Sequence, residues 1–322
     1  MTKKSAFNIL RIGISIGLIL FLFWLMRGSL DDVFLAIKKI DKAILAVGFL
    51  FCILAFLLLS MRLKFIMAAQ RINIANKDII SLTFIGQFFS NFLPTSIGGD
   101  LVKAYYASRT TGKNLSSIAS IIFDRLLGTL TFILMALIAC IFVKGVFYNR
   151  LVIMFLCITL LISLAVGLIL FSRKIARRVP FLGWVFRMFN LEERMKSVYE
   201  IIYNYKHHPG LILNAVLMSF ALQALMFYVI YIIIKGLNFY IPLKMVFLFM
   251  PIINTISMAP SINGLGVREG AFVLLFGPLM TKEGAFALGI LWFGLNFTVS
   301  LIGGILYLFD KQYRIKGGVK LT

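Results

Sequence analysis

Apolar residues fall along this chain in long runs rather than in the short alternations of a soluble domain. A run of about 20 apolar residues is long enough to cross a bilayer as a helix. Six stretches are predicted to do so, at residues 8–26, 43–61, 117–143, 151–172, 211–234 and 285–309. Lys3 and Lys4 precede the first run as they would in a signal peptide. No small-x-small cleavage pattern follows it, so an uncleaved span is expected. Between the spans the chain turns polar and basic. Residues 27–42 mix Lys38, Lys39 and Lys42 with Asp31, Asp32 and Asp41, and read as a short exposed connection. Arg62, Lys64, Arg71 and Lys77 read as a basic segment after the second span. Residues 173–208 form the one substantial polar loop. Within it Leu191, Met195, Val198, Ile202 and Tyr205 recur at helical steps. That apolar face suits either the membrane surface or the protein's own cytoplasmic side.

Two further apolar stretches are interrupted. One runs from Ile79 to Leu93, too short for a full crossing. It breaks at Pro94 and passes through Thr95, Ser96, Gly98 and Gly99 to Asp100 and Lys103. Proline removes a backbone donor and glycine accepts dihedrals closed to other residues, so no continuous helix is expected here. Residues 79–113 are therefore predicted to form a re-entrant hairpin. The pattern returns over residues 245–280, where Pro260, Ser261, Gly264 and Gly266 lead to Arg268 and Glu269. In lipid, interrupted backbone is tolerated only when buried in protein or lining a wet cavity. Charges at such a break mark a candidate functional site.

The two breaks match in detail. Each proline is followed by a hydroxyl residue and, four positions on, by a glycine, and each has an asparagine upstream, Asn91 and Asn254. Pro94 and Pro260 lie 166 residues apart, about half the 322-residue chain. Each half reads as two spans, a broken hairpin and one more span. Three crossings reverse the direction of entry, so an inverted-topology repeat is predicted, with a site near the midplane where the breaks meet. The expected organisation is a single all-α integral membrane domain. Its repeats cover residues 1–146 and 147–310, with a basic tail over 311–322.

Composition agrees with this reading. Hydrophobic residues make up 61% of the chain and the mean hydropathy is +0.98. A net charge of +21 would suggest nucleic acid in a soluble protein. Here the bases gather between apolar spans, where the positive-inside bias and anionic lipid account for them, and no nucleic-acid partner is expected. With the amino terminus inside, cytoplasmic segments hold 22 Lys and Arg and outside segments 9, which places both termini in the cytoplasm. Cys52, Cys140 and Cys157 all lie in apolar runs without a paired motif. The only histidines, His207 and His208, are adjacent and cannot share a helix face. No disulfide framework, metal site or cofactor is expected, and no nucleophile or acid–base motif suggests catalysis.

A charged headgroup is costly to move through hydrocarbon, and fixed cations in a wet cavity lower that cost. Arg125 and Arg268, one in each half, are the leading candidates to hold a phosphate, with Lys103, Asn91, Ser96 and Ser261 beside them. Asp100, Asp124 and Glu269 are candidates to orient those arginines or to exchange protons; the bland reading is that Asp124–Arg125 and Arg268–Glu269 merely neutralise one another. The breaks themselves are assigned to Pro94, Gly98, Gly99, Pro260, Gly264 and Gly266.

Three motifs carry a resemblance to a known family: N-F-L-P-x-x-x-G-G-D from Asn91 to Asp100, the acidic-Arg pair Asp124-Arg125, and P-x-x-x-G-x-G-x-R-E from Pro260 to Glu269. Together they resemble the flippase-like membrane domain of lysylphosphatidylglycerol synthases, the multiple peptide resistance factor family. The resemblance implies a cell-membrane protein that moves phospholipids or lipid-linked intermediates between leaflets. It also leaves open a role as membrane subunit of a lipid-modifying aminoacyltransferase, such as phosphatidylglycerol lysyltransferase, or of a separate glycosyltransferase. Only 13 residues follow Phe309, so no soluble synthase domain is expected on this polypeptide.

Overall fold

The fold is that of a computed structural model, which describes residues 30–92, 98–142, 192–257 and 264–309 together with 154, 158 and 161. The first predicted span, most of the fourth, the basic tail, and Pro94, Ser96, Pro260 and Ser261 lie outside the described residues. Every regular element among the described residues is a helix. In order these are α1 (Leu30–Lys39), α2 (Lys42–Ala69), α3 (Asn76–Phe92), α4 (Gly98–Thr111), α5 (Asn114–Phe142), α6 (Glu192–Asn204), a 3-10 turn (Tyr205–His207), α7 (Pro209–Gly236), α8 (Leu243–Ile256), α9 (Val267–Phe276) and α10 (Lys282–Phe309).

Four of them, α2, α5, α7 and α10, are long and apolar enough to cross a membrane. At 28 residues, α2 rises about 42 Å, more than the hydrocarbon core requires. Leu50 and Leu54 on α2, Leu213 and Leu217 on α7, and Ile305 and Leu308 on α10 stand exposed, as side chains that face lipid would. The protein is a multi-pass helical membrane protein.

The connection at residues 27–42 differs from its expected form. Leu30–Lys39 is helical and lies against α10. Val33 and Ile40 are buried, with Ile37 packed beside them. Their spacing makes one apolar stripe beneath the charges, and that stripe docks the segment. Asp41 then caps α2, its Oδ1 accepting from the Ala43 amide at 2.8 Å.

The helices pack in a reciprocal pattern. The most extensive pair is α2 with α7. On one side α3 lies against α2, α4 and α10; on the other, α8 lies against α7, α9 and α5. Close approach depends on glycine. A Cβ on Gly99 would overlap Ser90 Oγ and the Gly86 carbonyl oxygen, and one on Gly303 would overlap the backbone of Phe84. Small residues are the usual means by which membrane helices bring their backbones together. Gly99→Ala and Gly303→Ala are each expected to cost about 1–3 kcal/mol as overpacking. Gly294, with nothing within 4 Å of its would-be Cβ, should accept alanine without loss. Thermal unfolding of the three variants in detergent checks this, and equal midpoints would contradict the packing.

The apolar face of α6 resolves in favour of the protein. Val198, Ile202 and Tyr205 are buried with Ala119, Phe123 and Leu127 of α5 and Ala215 of α7. Leu191 and the side chain of Met195 lie outside the described residues. Tyr205 stacks on Phe123 at 4.2 Å and 11°, and its hydroxyl shares a 2.9 Å hydrogen bond with Ser120. Burial pushes the Tyr205 hydroxyl above its ordinary pKa, so it stays neutral and bonded.

Candidate functional site

A cavity of about 380 Å³ opens among α2, α3, α4, α5, α7, α8, α9 and α10. Arg62, Lys103, Arg125 and Arg268 all line it, with the carboxylates of Asp100 and Asp124. Residues widely separated in sequence thus meet in one space, and both halves of the chain contribute.

Arg62 is the residue that the sequence reading placed elsewhere. It sits within α2 rather than in a loop after it, because the apolar run resumes past it with Leu63, Phe65, Ile66 and Met67. Its side chain is only 6% exposed. Nε donates to Asp124 Oδ1 at 2.7 Å and Nη2 to Oδ2 at 2.9 Å, while Nη1 donates to Ser219 Oγ at 3.0 Å. One guanidinium therefore ties α2 to α5 and α7. Gly128 lies under it, with room for the planar group where a would-be Cβ comes within 3.2 Å of Nη1.

Asp124 and Arg125 do not pair with each other. Consecutive helical residues point in different directions, so Asp124 faces Arg62 and Arg125 faces Asp100. Asp100 stands in the first turn of α4 and serves two cations. Its Oδ2 accepts from Arg125 Nη1, and its Oδ1 lies 3.4 Å from Lys103 Nζ. The Lys103 side chain is 10% exposed and runs beside Gly86, where a Cβ would collide with it. Gly98 and Gly99 belong to that same first turn of α4, with Gly99 meeting α3.

Arg268 and Glu269 do pair, although adjacent, because α9 starts here. Gly264 and Gly266 have φ of +76° and +79°, a left-handed backbone that favours glycine. The chain then enters α9, and Glu269 Oε2 accepts from the Gly266 amide at 2.7 Å. The other oxygen, Oε1, accepts from Arg268 Nε at 3.0 Å and Nη2 at 2.7 Å. The guanidinium lies over the Phe293 ring at 5.1 Å. Nothing among the described residues accepts from its Nη1, and Arg268 lines the cavity. With Glu269 counted behind Arg268, four cations meet three carboxylates among the described residues, a local excess of one positive charge.

Asn91 also lines the cavity and donates to Ser300 Oγ of α10 at 2.7 Å. Beside it stand Gln87, Gln223, Asn254 and Asn296, which no motif singled out as site residues. Gln223 donates to the Gly128 carbonyl at 3.1 Å and to Thr131, and its buried Oε1 finds no partner among the described residues. Each is an amide set among apolar residues of its helix. That setting was the available signal, since a polar side chain at membrane depth is seldom idle.

Searches of the curated proteins and of the solved structures each return no match. A family model described as the lysylphosphatidylglycerol synthase TM region matches residues 8–304, a stretch that takes in every residue lining the cavity. The chain belongs to the lysylphosphatidylglycerol synthase TM region family.

Proposed function

We propose that this protein carries an anionic, phosphate-bearing lipid headgroup between the two leaflets of the cell membrane. The observation behind the reading is a cavity with one positive charge in excess inside an apolar bundle. A phosphate entering it exchanges water for guanidinium donors, which offsets the desolvation that makes hydrocarbon impassable. Arg268 is the main phosphate ligand, since its Nη1 meets no acceptor among the described residues while Glu269 holds the rest of the fork. Arg125, about one-third exposed and oriented by Asp100, is the second. Lys103 and Asn91 border the same space, and the acyl chains stay outside among lipid.

Two inverted repeats, with hairpins at residues 79–113 and 245–280, suit this task because each side of the membrane then meets an equivalent gate. Support comes from the reciprocal contacts, in which the first arm of each hairpin packs on the last helix of the opposite half, α3 on α10 and α8 on α5. The direct test is leaflet exchange of fluorescent lipids by the purified protein in liposomes. Exchange of anionic phospholipids above protein-free vesicles is expected, and no exchange of any of them would overturn the function.

The topology follows with its own test. Both termini and residues 173–208 are assigned to the cytoplasm, from the distribution of bases. Cysteine introduced at Lys196 should resist an impermeant reagent added to intact cells. Tags after Lys77 and Lys113 should report one compartment. Efficient labelling at the first site reverses the orientation, and opposite compartments for the two tags mean the hairpin crosses.

A further inference from the structure

We infer that a groove among α5, α7 and α8 seats one acyl chain of a phospholipid of the outer leaflet, with the lipid phosphate at Lys244. This site is separate from the charged cavity, and its occupation does not require that the protein move lipid. Only the choice of leaflet rests on the topology proposed above.

The groove has a volume of about 410 Å³. Met135, Ile138 and Ala139 of α5, Phe220 of α7 and Leu243 and Phe247 of α8 form its walls, with Lys244 the one polar residue among them. Ile138 and Leu243 are exposed, so the groove opens on the outside of the bundle, where the surroundings are lipid. A cleft with such walls holds no water, because water needs polar partners. Left empty, it forfeits the dispersion contacts of the atoms that line it. The three helices touch one another pairwise. A further helix, from a second copy or another protein, is about 10 Å across and does not fit a crevice between helices in contact. A chain of methylenes is thin enough to enter.

Position and charge fix which lipid. The helix α6 packs at the opening of α5, beside Ala119 and Phe123. Along α5 (Asn114–Phe142), Asp124 and Arg125 stand about 15 Å from its start, and residues 135–139 about 32–38 Å from it. The groove therefore belongs to the half of the bilayer away from α6, which the distribution of bases assigns to the outside. Lys244 stands in the first turn of α8, just after the short connection from the end of α7 at Gly236. It is exposed and takes part in no ion pair or hydrogen bond among the described residues. The positive end of the α8 dipole lies beside it. A free ammonium at the rim of an apolar groove matches a phosphate at the head of an acyl chain. On the inner side three rings wall the groove off from the cavity. Phe132 and Phe227 line the cavity and stack at 6.2 Å, and Phe227 meets Phe247 of the groove edge-on at 5.3 Å. A lipid held here stands one layer of side chains from the charged site.

The test uses the purified full chain in phosphatidylcholine liposomes that carry a phosphatidylglycerol with a diazirine midway along one acyl chain. After illumination, peptide mass spectrometry should find adducts on residues 135–139 and 243–247. Their yield should be at least about fivefold above that on Leu50 and Leu54 of α2, which face bulk lipid. Ile138→Trp, at an exposed position, fills the groove and should cut the groove adducts about fivefold while leaving those on α2 unchanged. Lys244→Glu sets a carboxylate against the phosphate and should cut them about as far. Being on the surface, it also serves if the tryptophan variant fails to fold. Equal labelling of the groove and α2, or groove labelling that neither variant moves, would mean bulk lipid only and overturn the inference. No adducts in the groove, as a second copy of the chain seated there would give, overturn it too. Groove labelling in protein that exchanges no lipid overturns the function proposed above and leaves this site in place.

Discussion

Arg268→Lys is expected to lose most of the lipid exchange of the wild-type protein, and Arg268→Ala all of it, with both variants still folded. The guanidinium divides its donors between two tasks. Nε and Nη2 grip Glu269 Oε1, and Nη1 meets no acceptor among the described residues that line the cavity. A lysine ammonium is a point charge without that planar fork, so it satisfies Glu269 or a phosphate but does not hold one while presenting to the other. Alanine removes the ligand altogether. It also leaves Glu269 as a buried carboxylate without its cation, and breaking such a pair typically costs about 3–5 kcal/mol. Lost activity must therefore be separated from lost fold. Glu269 caps the Gly266 amide as well, so truncating it would remove two interactions. Arg268→Ala/Glu269→Gln is the better control, because glutamine keeps an acceptor for the cap without the charge. Its thermal midpoint should return toward wild type while exchange stays absent. Wild-type exchange by monodisperse Arg268→Ala protein would falsify the assignment.

The largest loss of stability is expected at Asp124. Asp124→Ala leaves Arg62 with both Nε and Nη2 unpaired between α2, α5 and α7. The Arg62 side chain has almost no access to water, so its charge is left without a counter-ion. A cost of about 3–5 kcal/mol follows, enough to empty the folded state of many membrane preparations. Arg62→Met/Asp124→Leu removes both charges and refills the volume with apolar atoms. That double variant should recover most of the loss, as replaced buried pairs commonly do. Thermal unfolding of the single and double variants in one detergent measures the coupling. Equal destabilisation by both would mean that the shape of the pair, rather than its charge, holds the three helices.

The fold class was readable because membrane spans announce themselves by length alone: α2, α5, α7 and α10 are all present where long apolar runs stand. What stayed hidden was three-dimensional pairing. Asp124 and Arg125 are neighbours in sequence, yet the helix turns them toward different partners, 62 and 25 residues away. Arg62 ended the predicted second span because a charge was read as a boundary. The helix continues through it, since its partner at the same depth lies on α5. Likewise Lys38 and Lys39 drew attention away from the stripe of Val33, Ile37 and Ile40 that docks α1. The glycine breaks were legible at Gly264 and Gly266, where the backbone is left-handed. At Gly99 the same residue type serves a different end, a close helix contact that only the tertiary fold creates. Gln87 and Asn296 carry no spacing rule, and their convergence with Asn254 appears only when α3, α8 and α10 are brought together.

The ion pairs around the cavity share one property with a bearing on how the chain is made. Arg62 with Asp124, and Asp100 with Lys103 and Arg125, close entirely within the earlier half; Arg268 with Glu269 closes within the later one. Among the described residues, contacts across the two involve a neutral group on at least one side, as where Arg62 Nη1 reaches the Ser219 hydroxyl. Asn91 meets Ser300, Gln223 meets the Gly128 carbonyl, and Gly303 lies on the backbone of Phe84. During synthesis the earlier helices enter the bilayer before the later ones exist. Their charges then find opposite charges already translated, and no bare arginine waits in lipid for a partner still on the ribosome. The seam completed last is mostly neutral. Neutral hydrogen bonds and glycine contacts can slip and re-form without carrying an ion through hydrocarbon, which suits a seam that is assembled late in translation.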